Sequence, residues 1–117
     1  MGQLTTHVLD TAHGKPASGV DLLLFRSVNG LRTQLLAATT NADGRCNQPL
    51  LQGDALQTGV YELEFSVGKY FSALGVKQTD PPFLDRVTLR FGVADASQHF
   101  HIPLVMTPWS YSTYRGS

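Results

Sequence analysis

The chain has 117 residues, which suits one domain, and we expect a single domain over residues 1–117. Nine lysines and arginines balance nine aspartates and glutamates, and a neutral chain without a basic run suits neither nucleic acid nor a membrane as partner. Charged residues make up only 15% of the chain, which indicates that part of the surface contacts protein instead of water.

The first third of the chain is predicted to form three strands. Residues 3–10 form the first strand, and two apolar runs follow at residues 20–28 and 31–39. The dipeptide Asn29-Gly30 separates these runs. It predicts a β-hairpin, because a type I′ turn needs a positive φ at both central positions and these two residue types tolerate it.

The middle of the chain contains two further strands, residues 60–67 and 86–93, in which apolar and polar residues alternate. Between them, residues 69–74 are predicted to form one short helix that Gly75 closes as a C-cap. The side chains expected on the core faces of the two strands are Tyr61, Leu63, Phe65 and Val67, and Val87, Leu89, Phe91 and Val93.

The strand predicted over residues 98–106 has a polar face with two histidines. Its core face consists of Phe100, Ile102, Leu104 and Met106. His99 and His101 therefore project together from the opposite face. Pro103 indicates a sheet edge or an irregularity, because proline cannot donate a ladder hydrogen bond. A last, polar strand over residues 110–117 suits a cleft or a contact with another subunit.

These elements predict an all-β fold, an antiparallel β-sandwich of two sheets with seven to eight strands and one short helix. Several of its polar residues have more than one possible role. The histidines fit solvated side chains, and the spacing of His99 and His101 also fits zinc, although no third ligand lies nearby in the sequence. Cys46, the only cysteine, adjoins Arg45 and fits a nucleophile, but a structural role is commoner. A chain with no internal disulfide also suits the cytoplasm.

Three segments carry motifs of a known family. The first runs from Leu4 to Ala17, and the second is the turn from Thr40 to Arg45. The third starts at His99 and ends in the tetrapeptide Tyr114-Arg115-Gly116-Ser117. Together they resemble the 5-hydroxyisourate hydrolases, which have the transthyretin-like form of the β-sandwich. The tetrapeptide is the most specific motif, because the hormone carrier transthyretin lacks it.

The resemblance implies a reaction and the residues that perform it. The reaction opens the six-membered ring of 5-hydroxyisourate, in urate (purine) breakdown, and gives 2-oxo-4-hydroxy-4-carboxy-5-ureidoimidazoline. A histidine suits activation of water, and an arginine suits the negative charge that grows on the carbonyl oxygen. The implied catalytic residues are His7, Arg45, His101 and Tyr114; the implied substrate-binding residues are His7, Arg45, Tyr114 and Ser117; His99 and Ser112 are secondary candidates.

The resemblance also implies an assembly. Members of the family form homotetramers, as dimers of dimers, and the active sites lie in clefts at the dimer–dimer interface, where symmetry-related chains line them. This assembly would explain the polar histidine face and the low charge. A small-molecule substrate is the expected partner. We expect no cofactor and no metal.

Two other classes of function compete with the hydrolase. One is a non-catalytic small-molecule carrier of the transthyretin type, and the other is a structural or adhesive β-sandwich. A carrier is expected to place apolar or small residues at the positions of His7, Arg45 and His101. A structural module has no reason to end in a polar strand beside two histidines. The residues therefore favour the enzyme.

Overall fold

The computed structural model describes residues 1–117, and its regular structure consists of strands, one α-helix and one 3₁₀ turn. The strands are β1 (Gln3–Asp10), β2 (Lys15–Pro16), β3 (Asp21–Val28), β4 (Leu31–Thr39), β5 (Leu51–Gln52), β6 (Gly59–Ser66), β7 (Arg86–Val93), β8 (His99–Met106) and β9 (Tyr111–Thr113). The 3₁₀ turn spans Gly53–Ala55 and the helix α1 spans Val67–Ala73. Neither is long and apolar enough to cross a membrane.

The strands form two sheets, and the predicted all-β sandwich with one short helix is confirmed. One sheet has the order β2-β1-β8-β9, with β5 also paired to β1, and the other has the order β4-β3-β6-β7. One pairing departs from the predicted antiparallel pattern, because β1 and β8 run parallel from Gln3↔His99 to Asp10↔Met106. Parallel neighbours need a crossover connection, and here the whole second sheet lies between them in the chain.

The apolar faces of both sheets form the core. Tyr61, Leu63 and Phe65 of β6 are fully buried, as the alternating pattern predicts. Burying one such side chain contributes about 1.5–3 kcal/mol relative to leaving it exposed. In β7, Phe91 is only partly buried. The other predicted core residues of β7 and β8 are all buried, namely Val87, Leu89 and Val93, and Phe100, Ile102, Leu104 and Met106.

The predicted turn at Asn29-Gly30 and the predicted short helix are both present, and the helix begins earlier than predicted. Asn29 and Gly30 join β3 to β4 with φ values of 51° and 80°, as a type I′ turn requires. The helix α1 begins at Val67, before the predicted start at residue 69, because β6 leads directly into it. Gly75 follows the helix with φ of 79°, the left-handed conformation that favours glycine.

Pro103 was predicted to mark a sheet edge or an irregularity. The prediction of an edge is wrong, because Pro103 lies in an interior strand, but an irregularity is present. β8 is paired with β1 on one side and β9 on the other. The backbone hydrogen bonds of His101 point toward Gly116, and alternation places the nitrogen of Pro103 on that same side. The ladder between β8 and β9 stops at Thr113, whose Oγ1 donates to the carbonyl of Pro103 at 2.7 Å. The missing N–H therefore falls where no regular partner is present.

Candidate active site

The outer face of the sheet β2-β1-β8-β9 carries the predicted histidines. The parallel register pairs Thr5 with His101 and Gln3 with His99. Paired residues project to the same side of a sheet, so these four side chains are neighbours. His7 follows Thr5 on the same face of β1, and the side chains of this face are only partly covered within one chain.

A glycine turn brings Arg45 to this face. Gly44 has φ of 74° and lies so close to β1 that a Cβ would approach the Val8 carbonyl oxygen to 2.3 Å. The Val8 N–H donates to the Gly44 carbonyl at 2.8 Å, and Arg45 forms a β-bridge with His7. The side-chain oxygen of Asn41 accepts the N–H of Arg45 at 3.2 Å. Glycine is therefore required at position 44 to place Arg45 beside His7.

His7 is held by the same turn. Its Nε2 lies 2.8 Å from the backbone carbonyl oxygen of Asp43. A carbonyl oxygen can only accept, so Nε2 carries the proton in this bond. Nδ1 makes no hydrogen bond within the chain and is left to interact with a substrate. The ring centroids of His7 and His101 are 6.4 Å apart.

His101 is held on two sides. Its Nδ1 lies 2.8 Å from Oγ1 of Thr5. Its backbone N–H donates to the Gly116 carbonyl at 3.2 Å, and the Gly116 N–H donates to the His101 carbonyl at 2.7 Å. The pKa of His101 is lowered, first by burial and then by the positive charges of Arg45 and His7. His101 is therefore a neutral imidazole at neutral pH and can act as a base.

Arg45 and His101 border a polar cleft of about 470 Å³. The side chain of Arg45 makes no ion pair and no hydrogen bond within the chain, so its guanidinium is available to an oxygen-rich ligand. The residues that line the cleft are Gln3, Thr5, Thr6, Arg45, Cys46, Asn47, Gln48, Pro49, His99, His101 and Ser117. His7 lies beside this set, close to His101.

The structure separates the predicted site residues into two groups. Arg45, His101, Ser117 and the secondary candidate His99 line the cleft, with His7 adjacent to it. Tyr114 and Ser112 do not line the cleft of their own chain, and Tyr114 is 61% exposed. Their roles in catalysis or binding stay predictions.

Sequence reasoning missed several residues of the cleft, above all Thr5. Thr5 belongs to β1 and His101 to β8, and no local pattern in the sequence shows that these strands are neighbours. The alternating pattern of β1 did place Thr5 on the same face as His7, which was the only available signal. Asn47 and Gln48 lie in an irregular segment without any periodic signal.

The two alternative chemistries have weaker support in the structure. Cys46 lines the cleft, but burial raises the pKa of its thiol, which disfavours the reactive thiolate. A zinc site at His99 and His101 needs further ligands, and no group of three or more His, Cys, Asp or Glu side chains in the chain is arranged to hold a metal ion. The cleft instead presents imidazole and guanidinium groups.

Sequence comparison identifies relatives of the whole chain. Residues 4–116 match the HIUase/Transthyretin family. The 5-hydroxyisourate hydrolase of Ralstonia nicotianae is 62% identical over 117 residues, which are 100% of both chains.

Comparison with solved structures finds the same fold in proteins with different names. (S)-Allantoin synthase matches with a TM-score of 0.94 and 43% identity, and this chain covers 44% of that protein. The 5-hydroxyisourate hydrolase of Klebsiella pneumoniae matches over 100% of both chains, with a TM-score of 0.83 and 33% identity. Sea bream transthyretin in complex with thyroxine matches with a TM-score of 0.87 and 27% identity, over 97% of this chain and 94% of that one. Matched by its profile along nearly its whole length, the chain belongs to the HIUase/Transthyretin family.

Proposed function

We propose that this chain is a 5-hydroxyisourate hydrolase, which opens the six-membered ring of 5-hydroxyisourate in urate breakdown. The observation that carries the proposal is that Arg45 and His101 meet at one polar cleft and His7 lies beside it. The full-length relative from Ralstonia nicotianae, which bears that enzyme's name, supports it. An oxygen-rich planar substrate suits this cleft, because the guanidinium binds carbonyl oxygens and the imidazoles exchange protons.

In the proposed reaction, water adds across an acyl carbon–nitrogen bond. Nε2 of neutral His101 accepts a proton from water as its oxygen attacks the carbonyl carbon. The negative charge that develops on the carbonyl oxygen faces the guanidinium of Arg45. The carbon–nitrogen bond then breaks, and the leaving nitrogen takes a proton from Nδ1 of charged His7. The hydroxyl is thus bonded to carbon and the hydrogen to nitrogen, and both histidines return to their starting state by proton exchange.

The lowered pKa of His101 supports its role as the base. A base must be neutral before it can accept a proton, and burial together with the charges of Arg45 and His7 favours the neutral form. His7 uses Nε2 to donate to the Asp43 carbonyl, so its other nitrogen is left for the leaving group. A positioned acid or base contributes on the order of 10²–10⁴ in rate.

We also propose that the chain forms a homotetramer, a dimer of dimers whose interface between dimers covers the cleft. Tyr114, with Ser112 as a secondary candidate, then acts in the cleft of a neighbouring chain. The exposure of Tyr114 and the exposed pair of Phe83 and Trp109, whose ring centroids are 5.9 Å apart, support a surface that meets protein. Sedimentation of the purified chain at micromolar concentration tests the oligomeric state, and a monomer would contradict the proposed tetramer.

We also propose that the protein works in the cytoplasm, a compartment that suits the free thiol of Cys46.

The test of the activity is the decay of freshly generated 5-hydroxyisourate, followed by ultraviolet absorbance. The purified chain should accelerate the decay far above the rate in buffer. His101→Ala and Arg45→Ala should each lower the rate, by about 10²–10⁴ and about 10²–10³ respectively. Cys46→Ser, a change in the same cleft, should keep the wild-type rate. Loss of activity in Cys46→Ser with full activity in the other two variants would assign the reaction to a cysteine nucleophile.

The competing function is a small-molecule carrier with the same fold. A carrier binds its ligand and releases it unchanged, so the absorbance of 5-hydroxyisourate would decay at the rate in buffer. The polar lining of the cleft and the unpaired Arg45 favour turnover, since a carrier gains most of its affinity from apolar contacts. Recovery of unchanged ligand after prolonged incubation would support the carrier.

A further inference from the structure

We propose that Thr5 is a positioning residue for His101. The Thr5 hydroxyl accepts a hydrogen bond from Nδ1 of His101, so the lone pair on Nε2 of His101 faces the cleft. The proposal rests on the proposed function, in which His101 is the base. It adds a residue that acts through His101, and it selects one of the two tautomers that the neutral imidazole ring can adopt.

The contact between Thr5 and His101 follows from the parallel register. The two residues are direct partners in the pairing of β1 with β8, so their side chains lie side by side on the outer face. Oγ1 of Thr5 lies 2.8 Å from Nδ1 of His101, a normal hydrogen-bond distance. Neither side chain makes another hydrogen bond within the chain. The pair is therefore isolated from other polar groups, and each side chain orients the other.

Gly116 restrains the ring from the other side. A Cβ at position 116 would lie 3.1 Å from both Cβ and Cδ2 of His101, so the glycine backbone packs directly against the imidazole. Two backbone hydrogen bonds hold this approach in place. With Nδ1 engaged by Thr5 and the Cδ2 edge covered by Gly116, Nε2 is the ring nitrogen left for a water molecule or a substrate.

A hydroxyl suits the proposed role better than a carboxylate. A carboxylate beside Nδ1 would add a negative charge, stabilise the imidazolium and raise the pKa of His101. The hydroxyl of Thr5 orients the ring without that charge, so the lowering effects of burial, Arg45 and His7 persist. Thr5 also lines the cleft, which lets its own O–H donate to water there.

The test compares Thr5→Val, which replaces the hydroxyl by a methyl group of similar size, with Thr5→Ser, which retains it. We expect Thr5→Val to lower kcat at least about tenfold, because a misplaced base reacts slowly, with KM within about twofold of wild type. Thr5→Ser should recover most of the lost kcat. Thr11→Val is the matched control, because Oγ1 of Thr11 bonds the Met106 carbonyl at the far end of the same strand pair.

A spectroscopic measurement tests the tautomer independently of catalysis. In ¹⁵N-labelled wild-type protein at a pH where His101 is neutral, the nitrogen shifts should place the proton on Nδ1, and Thr5→Val should shift it toward Nε2. A wild-type spectrum with the proton on Nε2 would overturn the proposal. So would unchanged kinetics in Thr5→Val, or a raised KM with unchanged kcat, which indicates a substrate contact. If the wild type did not hydrolyse 5-hydroxyisourate, the proposed function would fail, and the spectrum would still decide the Thr5 contact.

Discussion

Arg45 differs from three arginines of the second sheet because its charge has no partner. Arg32, Arg86 and Arg90 pair with Glu62 or Glu64 on the outer face of the second sheet, at 2.9–3.4 Å. Arg45 makes no such pair, and it is one of the groups that lower the pKa of His101. An unpaired guanidinium therefore has two effects in the cleft. In the proposed function it attracts an oxygen-rich substrate, and it adds to the effect of burial in lowering the pKa of His101.

Replacing Arg45 should change the titration of His101 in a defined direction. We expect Arg45→Met to raise the pKa of His101, because a neighbouring positive charge is removed while the ring stays buried. An NMR titration of the His101 ring measures this pKa in wild type and variant. Cys46→Ser, which leaves the charges of the cleft unchanged, is the control. An identical midpoint in Arg45→Met would show that the charge of Arg45 does not lower the pKa of His101.

If His101 is the base, its lowered pKa should set the acid limit of activity. His101 must be neutral to act as the base, so activity should be lost as the pH falls through its pKa in the folded protein. That pKa lies below the usual histidine value of about 6.5. The acid limb of kcat/KM should therefore have its midpoint below this value, and its position can be compared with the NMR titration. A midpoint clearly above it would contradict His101 as the base.

A side chain at position 116 should displace the His101 ring. In Gly116→Ala the new methyl group would approach the His101 ring to 3.1 Å, so the ring must shift away from the orientation that Thr5 supports. We expect kcat to fall about tenfold or more, whereas the fold should persist because the position lies in an exposed terminal segment. The control is Ser110→Ala, which changes the same terminal region without approaching His101. Wild-type kcat in Gly116→Ala would show that the ring has room to move.

At the scale of elements, Asp10 joins the end of β1 to the following loop and to α1. Asp10 is fully buried, and its carboxylate accepts bonds from the Tyr70 hydroxyl at 2.8 Å and from Nδ1 of His13 at 2.6 Å. Its other oxygen accepts the backbone N–H of His13 at 3.0 Å. Burial alone would raise the pKa of Asp10, but these hydrogen bonds outweigh it and the net change is downward. The ionised carboxylate therefore stabilises the folded state.

Asp10→Asn should destabilise the protein. The amide nitrogen that replaces one carboxylate oxygen cannot accept a hydrogen bond, so one buried donor loses its partner at a cost of about 1–3 kcal/mol. The difference in the free energy of unfolding between wild type and Asp10→Asn should be largest above the usual aspartate pKa of about 3.9. It should vanish as the pH falls through the lower pKa that Asp10 has in the folded protein. Urea unfolding at several pH values measures it, with exposed Asp54→Asn as control. Equal stability at neutral pH would rule out a stabilising role for the carboxylate.

The elements also explain how far the sequence could predict the fold. β6 and β7 were predictable because alternation reports which side chains are buried, and Asn29-Gly30 has a local conformational requirement. The pairing of β1 with β8 was not predictable from pattern, because alternation identifies a face and not a neighbour. The contact of Thr5 with His101 depends on that pairing and was missed for the same reason. His7, Arg45 and His101 were identified through the family's motifs.

At the scale of the whole molecule, one chain does not bring together all of the residues that the family's motifs imply for the site. His101 and Arg45 lie together in the cleft, whereas Tyr114 of the same chain is exposed and does not line it. A symmetric assembly solves this problem, because each chain can lend its last strand to the cleft of another. The proposed tetramer therefore predicts that the residues of one working site come from two chains.

Mixing inactive variants tests this division directly. His101→Ala and Tyr114→Ala should each be nearly inactive alone, but chains unfolded together and refolded should regain activity. In a random mixture of equal amounts, about a quarter of the clefts should contain an intact His101 from one chain and an intact Tyr114 from another. The matched control mixes His101→Ala with Arg45→Ala, since both residues lie in the cleft of a single chain and no mixed cleft is intact. Recovery in the first mixture and none in the second is expected. Without recovery in the first, Tyr114 would not act across the subunit interface.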